Sequence, residues 1–505
     1  LGGATKVLDM LLDCLKARQA PFRLRALRGP GFGGVGDRSL QVKSRSFFQN
    51  AAPRLSAKSR GPQPNLAKNA SGGPAEEQEE TSAIHTLQIL VLAFLILGAA
   101  ALKVQSSPAY TEFCRVGIYD GPGAEFVVIT RSAEGHTYAF ADGRTGRAGA
   151  AEAHVFCADG AVEVRGKGRW GARPLAVTDT VFRSDGIALA GRLIEPEAAD
   201  EQTPLVVYAH GSEDTGWLDT ARDPYQMVGR GVSVFVYDKR GTGRSEGDYT
   251  QNFPRLADDL VAASREAQGL ARGRFGRFGL VALSQGGWVV PLAAERAGAE
   301  FIAVGYGLVV DIREEDAAQV ARELQTAGYG EDVLSKARRI TDATAHLATT
   351  LSEEALVAFE ETRARYAGAP WLSQVRGDYT GLLLDATAEE IRTKILPVFQ
   401  SYDVDWSLDP VAVLREVSVP QLWALAGADR QAPAEVTIER LTALRADGLD
   451  ISLFVFPETD HGMWDVEERA GGGLRHTKVT DGFYDLMADW AHQRLGGVYG
   501  RAERR

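Results

Sequence analysis

A serine flanked by small residues marks residues 279–288, which read Gly-Leu-Val-Ala-Leu-Ser-Gln-Gly-Gly-Trp. An apolar run ends on Ser284, and a predicted helix follows it. A serine on a tight strand-to-helix turn has strained backbone angles, so the residues two before and two after it must be small. Ala282 and Gly286 meet this requirement. The pattern therefore predicts a nucleophile elbow, in which the serine hydroxyl is presented for attack on a carbonyl carbon.

Two short apolar strands precede this turn and supply the context that the motif needs. Leu205–Ala209 runs into His210-Gly211-Ser212, and Ser233–Tyr237 runs into Asp-Lys-Arg-Gly-Thr-Gly-Arg-Ser at residues 238–245. Between the second strand and the elbow, apolar positions recur at helical spacing over Pro254–Gln268. Short strands that end in glycine-rich turns and alternate with helices indicate parallel strands joined by crossover helices.

At these motifs the chain resembles the α/β-hydrolase superfamily, over about residues 205–490. The resemblance is to serine esterases and to dienelactone-hydrolase-like or peptidase-like members with an Asp-Lys-Arg-Gly-x-Gly-x-Ser turn. It implies an α/β-hydrolase fold, with a mostly parallel central sheet flanked by helices. It also implies that the mostly helical stretch at about residues 308–410 forms a lid insertion over the active site. The turn would lie near the rim of that site, with Arg240 tied to nearby carboxylates.

The base of the predicted site must be a histidine that lies near the serine in space. A serine hydroxyl is a weak nucleophile, and it needs an adjacent imidazole that a carboxylate orients. In this fold the chain order is serine, then Asp or Glu, then histidine. Four of the eight histidines follow Ser284, and His461 is the one in a short loop after a strand, where the superfamily places its base. His346 and His492 fall in predicted helices, whereas His476 is left as the alternative.

Asp429 is the predicted carboxylate. It stands directly beyond an apolar strand, and catalytic groups of open α/β sheets gather at the carboxyl ends of strands. Asp460 is the main rival because it precedes His461. A residue rarely points its carboxylate at the imidazole of the next residue, which favours Asp429.

The oxygen that becomes negative during the attack needs two backbone donors. The first predicted donor is the N–H of Gln285, the residue after the nucleophile. The resemblance of His210-Gly211-Ser212 to the superfamily's His-Gly loop points to the N–H of Ser212 as the second donor, with Glu213 left as an alternative. His210 itself is expected to be a structural imidazole bonded to neighbouring backbone.

These residues predict a serine hydrolase that cleaves a small-molecule carboxylic ester through an acyl-enzyme, without a cofactor. The same three side chains would also serve a peptidase, a thioesterase or an acyltransferase. A catalytically silent binding module with the hydrolase fold is the alternative from another class, since a fold alone does not define a function.

Composition narrows the remaining classes of partner. The chain has 505 residues, 45% of them hydrophobic, which is enough for more than one domain. Its formal charge of −11 argues against nucleic acid as a partner, because phosphate binding depends on clustered Lys and Arg. Cys14, Cys114 and Cys157 lack metal-ligand spacing, so no metal site is expected. Cys114 and Cys157 would pair if the region is exported, and two unconnected core residues are the equal alternative.

Residues 1–85 differ from the rest of the chain. Up to Ala75 they hold 13 Lys or Arg against 3 acidic residues, with many Gly, Pro, Ser and Asn. Such a composition cannot bury enough apolar surface to become ordered. The sequence also opens on Leu1 rather than methionine. We interpret the segment as an over-extended translation start, with a basic, flexible extension as the alternative.

Residues 86–105 contain a long apolar run, Leu87–Leu102, which only Gln88 interrupts. Its length suits a signal-peptide hydrophobic region or a short membrane anchor. We therefore expect a protein that is exported to the periplasm or secreted, or one that associates with a membrane through residues 87–102. A buried helix of the globular part is the alternative, and it would leave the protein cytoplasmic.

Two further segments complete the predicted organisation. Residues 106–178 carry strand-like runs such as Phe126–Thr130 between closely spaced turn signals, which predicts a small β-rich domain. Val181–Ile194, with Asp185-Gly186 at its centre, predicts a β-hairpin that begins the hydrolase sheet. The hydrolase domain is expected to span residues 179–498.

Overall fold

A computed structural model describes residues 114–150, 152–468 and 474–505. The predicted extension at residues 1–85 and the predicted signal-peptide-like or anchor segment at 86–105 lie outside the described residues. Within the described ranges, no helix is long and apolar enough to cross a membrane.

Seven antiparallel strands form a sheet at the start of the described chain. They are β1 (Gly117–Asp120), β2 (Phe126–Ser132), β3 (Gly135–Phe140), β4 (Thr145–Arg147), β5 (Val155–Ala158), β6 (Ala161–Val164) and β7 (Gly168–Ala172). Their order in the sheet is β4-β3-β2-β1-β7-β6-β5. A disulfide joins Cys114 to Cys157 of β5, with their Cα atoms 5.0 Å apart. The structure thus forms the pairing that the sequence left open, and it ties the segment before β1 to the far edge of this sheet.

A second sheet of nine strands carries the mostly parallel layer. Its members are β8 (Leu175–Ser184), β9 (Ile187–Pro196), β10 (Leu205–Ala209), β11 (Ser233–Tyr237), β12 (Phe278–Leu283), β13 (Phe301–Gly305), β14 (Gln421–Ala426), β15 (Ile451–Phe456) and β19 (Glu503–Arg504). The order is β19-β15-β14-β13-β12-β10-β11-β9-β8. The pairs among β10–β15 are parallel, and the strands at the two edges are antiparallel. All residues of β10–β15 are buried, as expected where helices cover both faces of a sheet.

The second sheet begins earlier and ends later than the sequence predicts. The expected boundary between residues 178 and 179 falls inside β8, because β8 pairs with β9 along its whole length, from Leu175 opposite Pro196 onwards. The turn between them has positive φ at both Asp185 (48°) and Gly186 (80°), as a two-residue hairpin requires. At the other end β19 pairs with β15, beyond the predicted limit at residue 498.

Helices cover both faces of the second sheet. Those outside the insertion described next are Asp223–Val228, Phe253–Leu270, Gly286–Ala297, Glu435–Ala446 and Phe483–Ala491. One core cluster packs residues such as Trp288 and Trp423 on one face, and another packs Tyr208 and Phe483 on the opposite face. The sheet is therefore a rigid base from which strand ends can present side chains.

A helical insertion separates β13 from β14. Its helices are Ile312–Thr326, Glu331–Thr350, Glu353–Arg365, Leu372–Gln374, Thr380–Asp385, Ala388–Glu390, Ile391–Ile395, Leu396–Tyr402 and Pro410–Arg415. The first helix begins where Asp311 and Glu314 form a reciprocal capping box. The last helix, Pro410–Arg415, lies past the predicted limit of the insertion near residue 410. It begins there because Asp409 caps it and Pro410 occupies its first turn, where proline is tolerated.

A small three-stranded sheet follows β15 and was not predicted from the sequence. It consists of β16 (Thr459–Asp460), β17 (Trp464–Glu468) and β18 (Leu474–Val479). The N–H of Val479 donates to the carbonyl of Gly143 at 3.0 Å, so this sheet contacts the loop between β3 and β4. Residues 461–463 form the loop between β16 and β17, so a strand fixes each end of this loop.

Candidate active site

Ser284 lies on the turn between β12 and the helix Gly286–Ala297, with φ of 51°. Left-handed backbone of this kind is strained for a serine and persists only where the surroundings fix it. Two contacts do so: the N–H of Ser284 donates to the carbonyl of Gly305 at 3.0 Å, and Gly286 packs against the end of β10. A Cβ on Gly286 would lie 2.5 Å from the carbonyl oxygen of Ala209, which explains why this position must be glycine.

A continuous chain of hydrogen bonds joins Ser284 to His461 and Asp429. Nε2 of His461 lies 3.0 Å from Oγ of Ser284, and Nδ1 lies 2.8 Å from Oδ2 of Asp429. Asp429 follows β14 and His461 follows β16, so the three side chains come from three separate strand ends. Asp429 is 2% exposed and His461 is 6% exposed. Both side chains are therefore shielded from bulk water.

The carboxylate fixes the tautomer of the imidazole. An ionised carboxylate only accepts hydrogen bonds, so Nδ1 of His461 carries the hydrogen and Nε2 is left to accept from the hydroxyl of Ser284. Burial alone would lower the pKa of His461. The nearby carboxylates of Asp429, Asp460 and Asp378 raise it by a larger amount, so the pKa lies above the usual 6.5. The ring is thus a better proton acceptor than a free histidine.

Backbone donors hold the other oxygen of Asp429. The N–H groups of Gln431 and Ala432 donate to Oδ1 at 3.0 and 2.7 Å. Burial raises the pKa of Asp429, and its bonds to His461 and to Ala432 oppose that rise. The carboxylate is therefore fixed in position on both oxygens, and only Oδ2 faces the imidazole.

The two alternative residues, Asp460 and His476, pair with each other. Nε2 of His476 lies 2.8 Å from Oδ2 of Asp460, and the N–H of Arg430 donates to Oδ1 of Asp460 at 3.0 Å. The carboxylate of Asp460 is thus bonded away from the ring of His461. The structure brings Asp429, and not Asp460, to the imidazole beside Ser284.

The predicted oxyanion donors lie close to the nucleophile. Gln285 stands at the start of the helix Gly286–Ala297, where N–H groups lack partners in the helix. Gly211 packs on the serine, since a Cβ there would lie 3.4 Å from Cβ of Ser284. Within the described residues, neither the N–H of Gln285 nor that of Ser212 donates to another protein group. Both remain free to bind an oxygen, and the alternative donor, Glu213, stays open.

The ring of His210 does not form the hydrogen bonds to backbone that were expected from the sequence. Its side chain is fully buried, and neither ring nitrogen has a hydrogen-bond partner among the described residues. The ring instead stacks on Trp217 at 4.4 Å between centroids, and Nδ1 lies 3.6 Å from Oε2 of Glu213. Burial lowers the pKa of His210, which keeps it neutral.

Sequence reasoning missed some residues that surround the site. The ring of Tyr306, directly after β13, packs edge-on against His461 at 5.0 Å. Lys239 reaches the loop of Gly211 from the end of β11. A polar residue just beyond a buried parallel strand is the signal that could have identified both. Among the described residues, no group of three or more His, Cys, Asp or Glu is arranged to hold a metal ion.

Comparison with solved structures finds distant likenesses. An esterase of Pyrococcus furiosus is 13% identical with a TM-score of 0.37, covering 57% of this chain and 84% of the esterase. An acylaminoacyl peptidase of Pyrococcus horikoshii is 15% identical with a TM-score of 0.36, covering 67% and 50%. A proline iminopeptidase of Mycobacterium smegmatis is 16% identical with a TM-score of 0.37, covering 63% and 98%. No curated protein sequence matches the chain.

The family is established by sequence. The model of the alpha/beta hydrolase family matches residues 206–472, which is more than half of the chain and includes Ser284, Asp429 and His461. The protein belongs to this family, and its fold is that of an α/β hydrolase preceded by a β-rich region. Hydrolytic activity is the activity of its class.

Proposed function

We propose that the protein hydrolyses carboxylic esters by a serine mechanism, with Ser284 as nucleophile, His461 as base and Asp429 as the group that orients the base. The observation that carries the proposal is the unbroken hydrogen-bond chain through these three side chains. Its members lie far apart in the sequence and converge only in the folded chain, which is what acyl transfer to a serine requires.

The geometry supports a two-step reaction. Nε2 of His461 accepts the proton of the Ser284 hydroxyl as its oxygen bonds to the carbonyl carbon of the ester. The carbonyl oxygen becomes negative and accepts hydrogen bonds from the N–H groups of Gln285 and Ser212. The imidazolium then protonates the departing alcohol and leaves an acyl-enzyme. Water, deprotonated by His461, cleaves the acyl-enzyme and restores Ser284.

The helical insertion is proposed to act as a lid that selects substrates. Glu323, in its first helix, pairs with Arg430, the residue after Asp429. At its other end the carbonyl of Tyr402 accepts from the N–H of Gln251 at 2.7 Å. The insertion thus contacts the loop of Asp429 at one point and the segment before the helix Phe253–Leu270 at another. We propose that its position controls the access of substrates to Ser284.

Export is proposed for the same protein. The disulfide between Cys114 and Cys157 supports it, because disulfides persist in oxidising compartments and are rare in the cytosol. Membrane association through residues 87–102 stays a proposal alongside it.

A substrate panel tests the proposed activity. We expect p-nitrophenyl esters to be hydrolysed faster than peptide p-nitroanilides or acyl-CoA thioesters, with release of p-nitrophenol followed by absorbance. Ser284→Ala gives the uncatalysed background. Faster cleavage of the anilides would indicate a peptidase, and faster cleavage of the thioesters a thioesterase. No turnover of any substrate by folded protein would indicate a silent binding module.

A further inference from the structure

Lys239 is a buried cation beside the candidate site. Lys239 is the second residue after β11, it is 3% exposed, and its Nζ donates to the carbonyl of Gly211 at 2.7 Å. It forms no ion pair with a described carboxylate. Its chain neighbours are engaged elsewhere, Asp238 with the N–H groups of residues 217, 218 and 244, and Arg240 with Asp259. Burying a charge that no carboxylate contacts in an ion pair is costly, so the position of Lys239 calls for a reason other than stability.

The bond to Gly211 controls the direction of the next N–H. The carbonyl of Gly211 and the N–H of Ser212 belong to one peptide unit, which is planar and trans, so the two groups point in opposite directions. Because the carbonyl is held toward Lys239, the N–H of Ser212 is directed away from it. The same peptide adjoins Gly211, which packs on Ser284.

Tyr249 holds the following peptide in the same way. Its hydroxyl donates to the carbonyl of Ser212 at 2.6 Å, and that carbonyl shares a peptide with the N–H of Glu213. Nζ of Lys239 lies 5.0 Å from the centre of the Tyr249 ring. Buried Lys239 and half-buried Tyr249 thus fix two consecutive peptides, one for each N–H that could serve as the second oxyanion donor.

Building on the proposed function, we infer that Lys239 is the positioning residue of the oxyanion hole, where its bond to the Gly211 carbonyl aims the N–H of Ser212 at the oxygen that becomes negative. Lys239 does not touch the substrate in this arrangement. Its ammonium also adds positive potential behind the loop, where negative charge develops during the reaction.

Paired substitutions test the inference on esters that the wild-type protein hydrolyses. Lys239→Met keeps the length of the side chain and removes its donor and charge. Removing an oxyanion donor outright lowers kcat by about 10²–10³, and misaiming one should lower it by roughly 10–100. KM should change little, because this interaction strengthens only in the transition state. Tyr249→Phe, which frees the peptide of Glu213, should have the smaller effect on kcat.

The pH profile of the wild-type protein provides a second measurement, which decides the matter if Lys239→Met fails to fold. Burial lowers the pKa of Lys239 to about 8, and Glu213 and Asp214 oppose that shift. The other titratable groups that face it are His210 and Tyr249. As the pH rises through about 8 the ammonium loses its charge and donates more weakly, so kcat should fall. A wild-type kcat that stays constant through this pH range would contradict the inference, and a folded Lys239→Met should lack the alkaline decline.

Lys336→Met is the matched control, because Lys336 lies on the surface of the insertion. The kcat of this variant should equal that of the wild type. Folding of every variant is compared by thermal denaturation. A folded Lys239→Met with unchanged kcat, or a larger loss of kcat in Tyr249→Phe, would contradict the inference while leaving the proposed function intact. A wild-type protein that hydrolyses no ester would contradict the proposed function itself.

Discussion

Replacing Ser284 by alanine should lower kcat/KM for a p-nitrophenyl ester by about 10⁴–10⁶, as loss of the nucleophile does in serine hydrolases that act through a base and an orienting carboxylate. The oxygen that forms the acyl bond is then missing, and His461 has no proton to accept. The fold should persist, since Ser284 is held by its own N–H and by the packing of Gly286 rather than by its hydroxyl. The measurement is initial-rate kinetics on purified protein.

Ser132→Ala is the control for this substitution. Ser132 is exposed at the end of β2, and its hydroxyl donates only to the carbonyl of Gly135. Its kcat/KM should match that of the wild type. If folded Ser284→Ala retains a tenth or more of the wild-type rate, the nucleophile lies elsewhere.

Asp429→Asn should lower kcat by about 10⁴, the loss seen when an amide replaces the orienting carboxylate of such a site. The amide can donate to Nδ1 of His461, which favours the wrong tautomer, in which Nε2 carries the hydrogen and cannot accept from Ser284. The buried side chain keeps its shape, so the bonds from Gln431 and Ala432 to Oδ1 can persist. Steady-state kinetics at a pH on the plateau measures this loss.

The same substitution should shift the acid limb of the pH profile. Only neutral His461 can accept the proton, so kcat/KM rises as the pH passes the pKa of the imidazole, which lies above 6.5 in the wild type. Asp429 contributes to raising that pKa, and its carboxylate is lost in Asp429→Asn. The midpoint of the acid limb should therefore move to lower pH in the variant.

Asp460→Asn is the control that distinguishes the role of Asp429 from that of the other carboxylate near His461. Asp460 is next to His461 in sequence, but its carboxylate is bonded to His476 and to the N–H of Arg430. The variant should keep most of the wild-type kcat. An equal loss of kcat in both variants, or a greater one in Asp460→Asn, would mean that the orienting carboxylate has been misassigned.

Much of the sheet could be predicted from the sequence because buried parallel strands are short, uninterrupted apolar runs. Leu205–Ala209 and Ser233–Tyr237 are strands with the predicted bounds. The residues after such strands meet at one edge of the sheet. This position, with the small residues around Ser284 and the family resemblance, allowed Ser284, Asp429 and His461 to be predicted.

Contacts between distant segments could not be predicted in the same way. β16–β18 are short, mostly polar strands, and their pairing depends on contacts that the sequence pattern does not show. His210 stacks on Trp217, and the sequence carries no sign that aromatic packing would replace hydrogen bonds there. Lys239 stands in a glycine-rich turn of charged residues, and only the folded chain shows that its ammonium reaches the carbonyl of Gly211.

Reaction with a fluorophosphonate probe, read by intact mass and peptide mapping, tests the central claim most directly. Such a probe captures a serine that an adjacent base activates. The account predicts one adduct per folded chain, located on Ser284, absent in Ser284→Ala and formed much more slowly in His461→Ala. A folded wild-type protein that acquires no adduct, or acquires it on another residue, would contradict the account.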